Sequence, residues 1–209
     1  MPAHEDRGAV RRRMRAARRQ LDGSARRAAA ERVAAQLARL GLPRPHSRIA
    51  VYVPMDGELD PAPIAALARR RACEVYVPVI TRFSARHMRF APLTPGRNMR
   101  PNRWGIHEPE GVGISGRWLD LVLVPCVAFD RRGARLGMGA GFYDRHFSFL
   151  LRRAAWRQPR LIGLAYDFQQ VQRLAQASWD VPLWGVVSDA GVHGHARTLL
   201  PGSTTECCE

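Results

Sequence analysis

The segment LDLVLVPCVAFDRRGARLGMGAGFYDRHFSF, residues 119–149, decides the fold that we predict for this chain. Its first part, Leu121 to Phe129, is an apolar run rich in Val and Leu. Because the run is short and contains a proline, it favours a buried strand over a buried helix. Glycines follow, and the stretch FYDRHFSFLL then has helical spacing, with one predicted face formed by Phe142, His146, Phe149 and Leu150. The segment therefore predicts a strand, a glycine-rich loop and a helix, in that order.

The glycine-rich loop has the composition of an anion site. Glycine lets the backbone approach an anion closely, and the first N–H groups of the following helix then point at that anion. Arg135 can hold a phosphate through a two-pronged contact, and Asp144 lies in the first helical turn, where a carboxylate could carry Mg²⁺. The alternative is a surface connection whose aspartate suits the helix dipole. The spacing G-x-G-x-G is neither a Walker loop nor a G-x-G-x-x-G motif.

The rest of the chain alternates between predicted strands and helices. Strands are predicted at 48–53, 74–79, 87–93, 160–166 and 185–188. Helices are predicted at 8–21, from a cap at 22–24 to about Leu40, at 64–71 and at 168–175. This alternation predicts a single-domain α/β fold with a mostly parallel central sheet flanked by helices, and with ligands at the carboxyl ends of the strands. We assign residues 1–190 to the domain and expect residues 191–209, which are small and polar, to be a disordered tail.

The first predicted helix carries two stripes. Val10, Met14, Ala17 and Leu21 form an apolar stripe, and an adjacent face is lined by Arg11, Arg15 and Arg18. From these residues alone, the basic face is best interpreted as solvated.

The net charge of +15 raises nucleic acid or an acidic membrane surface as a partner. All 33 basic residues are arginine, however, which points to genome-wide base composition as much as to binding. We therefore favour an ordinary solvated arginine surface with no dedicated nucleic-acid partner. Four cysteines without a C-x-x-C pair, and no apolar run of about 20 residues, predict a cytoplasmic protein outside the membrane.

One family shares this central segment. The stretch RLGMGAGFYD, residues 135–144, preceded by VPCVAFDRRG, resembles the signature of the 5-formyltetrahydrofolate cyclo-ligases, also called 5,10-methenyltetrahydrofolate synthetases. The resemblance runs from about Arg11 to about Asp189. It implies ATP-dependent conversion of 5-formyltetrahydrofolate to 5,10-methenyltetrahydrofolate, ADP and phosphate, by phosphorylation of the formyl oxygen and attack by N10. It also implies Mg²⁺ as the metal, and reduced folate and ATP as the small-molecule partners.

The resemblance assigns roles to particular residues. Arg11 and Arg15 match the family's basic-x-x-aliphatic-Arg motif, which contacts the ATP phosphates. The other implied ATP-binding residues are Arg135, Leu136, Gly137, Met138, Gly139, Ala140, Gly141, Phe142 and Tyr143. Arg135 and Tyr143 are implied to be catalytic, and Asp144 to bind the metal. The implied folate-binding residues are Val53, Glu58, Trp104, Met138 and Phe142. Trp104 could stack on the pterin or simply anchor a loop, and Glu58, without the resemblance, is one of several loop carboxylates.

Several alternatives stay open on the sequence. Many members of the family carry a magnesium-binding aspartate where this chain has Trp184, so Asp180 or Asp189 would have to replace it. A dinucleotide-binding oxidoreductase would also place an acid, here Asp167, downstream of a glycine loop, although the glycine spacing is wrong for it. A third alternative is a member of the family that has lost the folate reaction.

Overall fold

The computed structural model describes residues 6–80, 88–94, 96, 99–101, 107–109, 113–152 and 158–194. The helices are α1 Arg7–Gln20, α2 Gly23–Arg39, α3 Ala62–Arg70 and α4 Phe142–His146. The strands are β1 Arg48–Ala50, β2 Glu74–Ile80, β3 Met88–Pro92, β4 Met99–Pro101, β5 His107–Pro109, β6 Leu121–Pro125, β7 Ala128–Phe129, β8 Arg135–Leu136, β9 Arg160–Ala165, β10 Gly185–Ser188 and β11 Val192–His193. Trp104 lies outside the described residues, as do residues 195–209 of the predicted tail.

The central sheet has seven strands in the order β11-β10-β9-β6-β1-β2-β3. The five inner strands are parallel, and the two edge strands β3 and β11 pair antiparallel to their neighbours. The prediction of an α/β fold with a mostly parallel sheet is therefore confirmed. Parallel strands are buried on both faces, which explains why β6 reads as a continuous run of Val and Leu.

The order of the strands reverses between β1 and β6. From β1 the chain crosses over to β2 on one side, whereas from β6 it crosses to β9 and β10 on the other side. Ligands bind to sheets of this type outside the carboxyl ends of the strands at such a switch point. The loop after β1, which carries Glu58, and the glycine-rich segment after β6 both start at this point.

Two apolar layers hold helices and 3₁₀ turns against the sheet. On one face, Val33 and Leu37 of α2 and Ile64 of α3 pack with Ile49 and Leu123 of the sheet. On the other face, the segment from α4 through the 3₁₀ helix Ser148–Arg152 covers the sheet through Phe147, which is fully buried beside Phe90 and Val124. The sequence predicted Phe142 and His146 for this inner face, but a short α-helix followed by a tighter turn brings Phe147 inward.

Helix α1 packs beside the sheet on the two-stranded ribbon formed by β7 and β8. Its residues Val10 and Met14 contact Ala128 and Leu136 of the ribbon. This packing places the amino-terminal half of α1 over the glycine-rich loop that follows β8. The third buried position of the helix is Arg18, where the predicted stripe has Ala17.

Several predicted elements are wrong in extent, among them the strand 48–53, which is only Arg48–Ala50. The run 121–129 is two strands, because the chain leaves the main sheet after Pro125 and enters the ribbon at Ala128. The predicted helix 168–175 is only the 3₁₀ turn Asp167–Gln169, because the buried Gln169 amide donates to the carbonyls of Cys126 and Val127 and ties the segment to the ribbon. The predicted tail from residue 191 begins instead with β11. No helix within the described ranges has the length and apolar character that crossing a membrane requires.

Candidate active site

The turn between β7 and β8 positions the glycine-rich loop. Asp130 is fully buried at this turn, and its carboxylate accepts hydrogen bonds from the backbone N–H groups of Arg132, Ala134 and Leu174. Charge-assisted hydrogen bonds of this kind fix a turn firmly. Asp130 thus fixes where β8 begins, and with it the direction in which Arg135 leaves the ribbon. The sequence analysis gave this aspartate no role.

Two glycines of the loop adopt backbone conformations that other residues avoid. Gly139 has φ 105° and Gly141, which caps α4, has φ 63°. A side chain is strained at such angles, so glycine is required there. Because no side chain intervenes at these positions, the loop backbone borders the space in which an anion would bind.

Arginines converge on this loop from three elements. Arg11 of α1 donates from Nε to the Gly137 carbonyl over 2.9 Å, and its guanidinium lies opposite Gly139. Arg145 of α4 donates to the Ala140 carbonyl, and Arg135 comes from β8. Arg145 was not identified from the sequence, although it lies one helical turn beyond Gly141, and that spacing could have indicated it.

The loop forms the floor of a cavity of about 1220 Å³. Its walls carry six arginines and two aspartates, so the cavity attracts polyanions. The charged lining residues are Arg7, Arg11, Arg117, Arg135, Arg145, Arg152, Asp144 and Asp180. The volume and the charge suit a nucleotide together with a second substrate. Arg7 was missed by the sequence analysis, although it precedes Arg11 by four positions and so lies on the same helix face.

Arg135 and Asp144 face each other on the wall of the cavity. Their side chains form an ion pair with a distance of 2.6 Å between Arg135 Nη2 and Asp144 Oδ1. The Arg135 side chain is only 7% exposed, so this ion pair is largely screened from solvent. Asp144 Oδ1 also accepts a hydrogen bond from the Val181 N–H, and within the described residues no hydrogen bond falls on Oδ2.

Tyr143 lines the cavity next to the glycine-rich loop, and the Glu58 carboxylate lies close enough to influence it. Burial, and to a smaller extent the nearby Glu58 carboxylate, raises the pKa of its hydroxyl well above the usual value. The phenol is therefore neutral near pH 7 and can donate a hydrogen bond but cannot act as a base. Burial likewise raises the pKa of the Cys126 thiol to about 12, so this cysteine is no nucleophile.

Glu58 lies in the loop that follows β1 and is not one of the residues that line the cavity. Its side chain is 9% exposed, and Oε2 accepts a hydrogen bond from the Met55 N–H over 3.1 Å. Burial raises the pKa of this carboxyl, against the Met55 hydrogen bond and the nearby Arg18 guanidinium. Val53 packs at the edge of the core below the same loop.

The structure brings some predicted residues together and leaves others apart. Lining the cavity are Arg11, Arg135, Gly137, Met138, Gly139, Ala140, Gly141, Phe142, Tyr143 and Asp144. Leu136 is buried beneath the loop. Arg15 does not line the cavity, because its guanidinium donates to Asp56 over 2.6 Å in the loop that carries Glu58.

The structure also separates the two proposed replacements for a second metal-binding aspartate. Asp180 lines the cavity next to Val181, whose N–H donates to Asp144. Asp189 instead pairs with Arg32 of α2 and accepts from the Asp167 N–H. Trp184 lies at the amino ends of β9 and β10, where the Arg160 guanidinium sits 4.6 Å above its ring. Asp180 is therefore the better placed of the two.

Comparison with known proteins identifies the family of this chain. The sequence model of the 5-formyltetrahydrofolate cyclo-ligase family matches residues 3–189. The chain belongs to this family. The 5-formyltetrahydrofolate cyclo-ligase of Escherichia coli K12 is 39% identical over 148 residues, which cover 69% of this chain and 79% of that one. Membership confirms the family resemblance and disfavours the oxidoreductase alternative.

Solved structures of similar proteins share the fold. The NMR structure of Aquifex aeolicus 5,10-methenyltetrahydrofolate synthetase has a TM-score of 0.73 at 29% identity and covers 96% of both chains. A 5,10-methenyltetrahydrofolate synthetase from Mycoplasma pneumoniae has a TM-score of 0.66 at 24% identity, covering 88% of this chain and 99% of that one. The second similarity supports the fold alone.

Proposed function

We propose that this protein is a 5-formyltetrahydrofolate cyclo-ligase, which uses ATP to convert 5-formyltetrahydrofolate to 5,10-methenyltetrahydrofolate with release of ADP and phosphate. The observation that carries the proposal is the arginine-lined cavity over the glycine loop, at the switch point of the sheet, in a chain that belongs to this family. Its partners are then the two small-molecule substrates. The buried free thiols Cys73 and Cys126 suit a reducing compartment, and we place the enzyme in the cytoplasm.

The reaction needs the formyl oxygen to become a leaving group. The formyl group on N5 is an amide, so its carbon is a weak electrophile. In the proposed mechanism the formyl oxygen attacks the γ-phosphorus of ATP and ADP leaves. N10 then attacks the activated carbon and loses its proton, and the C–O bond breaks as phosphate departs. Such a sequence requires alignment and neutralisation of charge more than a protein nucleophile.

The residues around the loop supply that neutralisation. Arg11 and Arg135, the N–H groups of residues 136–142 and the amino end of α4 surround the space for the phosphates. Arg145 faces the same loop and adds a positive charge. In the proposed mechanism, the neutral Tyr143 hydroxyl donates a hydrogen bond to the oxygen that receives the phosphoryl group. Phe142 and Met138 offer apolar surface to the folate, and Glu58 accepts hydrogen bonds from its pterin N–H groups.

Mg²⁺ fits the acidic side of the cavity. Asp144 offers Oδ2, and Asp180 brings a second carboxylate to the same wall. Carboxylate oxygens and phosphates are the ligands that Mg²⁺ prefers, and the ion would neutralise charge on the β- and γ-phosphates. Bound phosphates would compete with Asp144 for the Arg135 guanidinium.

The first test is the reaction itself. Purified protein incubated with 5-formyltetrahydrofolate, ATP and Mg²⁺ is expected to generate the methenyl chromophore, with one ADP released per product. Omission of ATP is expected to abolish product formation. A folded protein that binds ATP but leaves the folate unchanged after prolonged incubation would be a member of the family that has lost this reaction.

Replacing Asp144 with asparagine is expected to raise the Mg²⁺ concentration needed for half-maximal rate by at least about tenfold, since an amide is a far poorer ligand than a carboxylate. Asp180→Asn is expected to act in the same direction with a smaller effect. Asp189→Asn is the matched control, because its side chain is as exposed as that of Asp144, 20% in each, but lies away from the cavity. If the Asp144→Asn enzyme keeps the wild-type Mg²⁺ dependence, Asp144 does not bind the metal and serves only as the ion-pair partner of Arg135.

A further inference from the structure

One guanidinium lies buried behind the candidate active site, between two carboxylates. Arg18 of α1 is fully buried, with Nη2 3.5 Å from Asp56 Oδ2 and Nη1 3.8 Å from Glu58 Oε1. Burying an arginine is expensive in free energy unless its charge is compensated. Arg18 itself does not line the cavity. Its burial therefore calls for an explanation in terms of the two carboxylates that it meets.

The contact between Arg18 and Glu58 is an ion pair without a hydrogen bond. Within the described residues, none of the three guanidinium nitrogens has a hydrogen-bond partner. Glu58 Oε2 accepts from the Met55 N–H, and Oε1 faces Arg18 at a distance too long for a hydrogen bond. Arg18 therefore stabilises the negative charge of Glu58 while leaving lone pairs on Oε1 for another donor. A carboxylate held in this way suits a ligand that presents N–H groups.

We propose that Arg18 is a positioning residue for the folate substrate, holding Glu58 ionised and aimed at the pterin without touching the substrate itself. This inference rests on the proposed function, because it takes Glu58 as the residue that receives the pterin N–H groups.

The groups around Glu58 leave Arg18 as its main positive neighbour. Burial raises the pKa of Glu58, the Met55 N–H and then Arg18 lower it, and Asp56 raises it. Arg15 contributes a smaller lowering. Three tyrosines also face this region, and burial raises the pKa of each, so Tyr52, Tyr143 and Tyr166 remain neutral. A carboxyl is ionised above its pKa, so losing Arg18 would move the onset of ionisation to higher pH.

The backbone of the loop that carries Glu58 is held by other contacts. The Tyr52 hydroxyl donates to the Leu59 carbonyl over 2.6 Å, and the Tyr166 hydroxyl lies 3.5 Å from the Glu58 carbonyl. Gly57, with φ 72°, lets the loop lie against the α1 backbone, since a Cβ there would be 3.1 Å from the Arg18 carbonyl oxygen. Neither kind of contact uses the Arg18 guanidinium. A change of that side chain therefore acts on the Glu58 carboxylate more than on the course of the loop.

The test compares Arg18→Met, which keeps length but removes charge, with Arg18→Lys, which keeps charge but loses the planar fork. In Arg18→Met the KM for 5-formyltetrahydrofolate is expected to rise about ten- to a hundredfold, the range expected when a group that orients a substrate is displaced. The KM for ATP is expected to change little. The acidic limb of kcat/KM for the folate is expected to move to higher pH, and Arg18→Lys to recover part of both changes.

Arg19→Met is the matched control. Arg19 also pairs with Asp56, at 2.6 Å, but its side chain is 61% exposed. If Arg18 acts through Glu58, Arg19→Met should leave the folate KM and the pH profile unchanged. An equal effect of the two methionine variants would assign the role to Asp56 and overturn the proposal.

A double variant separates a positioning role from a merely structural one. If Arg18 works through Glu58, the double variant Arg18→Met, Glu58→Gln should have the same KM for the folate as Glu58→Gln alone. If the two residues act independently, the free-energy effects of the two substitutions on the folate KM add up, and the proposal is overturned. Circular dichroism checks that each variant is folded, and where Arg18→Met is not, the same comparison is made with Arg18→Lys. A wild-type enzyme without cyclisation activity contradicts the proposed function. An active wild type with an unaltered folate KM in folded Arg18 variants contradicts only this inference.

Discussion

Replacing Arg135 with alanine is expected to slow turnover about a hundredfold, which corresponds to roughly 3 kcal/mol of transition-state stabilisation. The guanidinium lies at the edge of the glycine loop, inside the cavity and largely screened from solvent. Transfer of the γ-phosphoryl group spreads negative charge over its oxygens, and a fixed guanidinium stabilises that charge best where water is excluded. The change should appear in kcat, measured with both substrates saturating.

The same substitution is also expected to lower the melting temperature. Because Arg135 pairs with the partly buried Asp144, alanine leaves that carboxylate without its cation. The rate must therefore be measured well below the melting temperature, with the folded fraction checked by circular dichroism. Arg135→Lys is expected to recover part of the rate, because an ammonium keeps the charge but cannot make a two-pronged contact.

Arg132→Ala is the control for this experiment. Arg132 lies three residues earlier in the same turn, its side chain is 56% exposed, and it pairs with Asp130 outside the cavity. Its loss should leave kcat nearly unchanged. If both alanine variants lose activity equally while remaining folded, Arg135 does not contact the phosphates.

The fold was predictable because its main elements follow local rules. The apolar runs of β6 and β9 are typical of inner strands of a parallel sheet, and the alternation with helices then favours this architecture. The ends of elements were predicted less well, because distant contacts decide them. Pro125 ends β6 in the main sheet, and the side chain of Gln169 replaces a predicted helix with a turn fastened to the ribbon.

The residues of the candidate site were likewise predictable where a local motif contains them, and not where distant packing brings them in. The glycine loop, Arg135 and Asp144 lie within ten residues of one another, so a local motif was enough to propose them. Arg7 and Asp180 reach the cavity from distant parts of the chain, and Arg7 is brought there by the packing of α1 on the ribbon. The interior position of Arg18 could not be predicted from periodicity, because an arginine on a helix is ordinarily solvated.

Glu58→Gln is expected to raise the KM for 5-formyltetrahydrofolate by roughly ten- to a hundredfold and to leave the KM for ATP nearly unchanged. The change removes the charge from hydrogen bonds that are worth about 1.5–3 kcal/mol when one partner is ionised. Glutamine keeps the size of the side chain, so the contacts of the loop with Tyr52 and Tyr166 should persist. The effect should therefore be confined to recognition of the folate, which titration calorimetry with each substrate would measure directly.

The dependence on pH distinguishes a carboxylate that binds the folate from one that only supports the loop. Because burial raises the pKa of Glu58, folate binding by the wild-type enzyme should weaken as the pH falls through that pKa, at a higher pH than for an ordinary glutamate. Glutamine does not titrate, so the Glu58→Gln enzyme should bind folate weakly at every pH and lose the Glu58-dependent part of the acidic limb. Glu74→Gln is the control, because Glu74 in β2 is 58% exposed and pairs with Arg48 of β1. This variant should keep the wild-type pH profile. A Glu58→Gln enzyme with the wild-type folate affinity and pH profile, or with weakened ATP binding in its place, would remove Glu58 from the folate site.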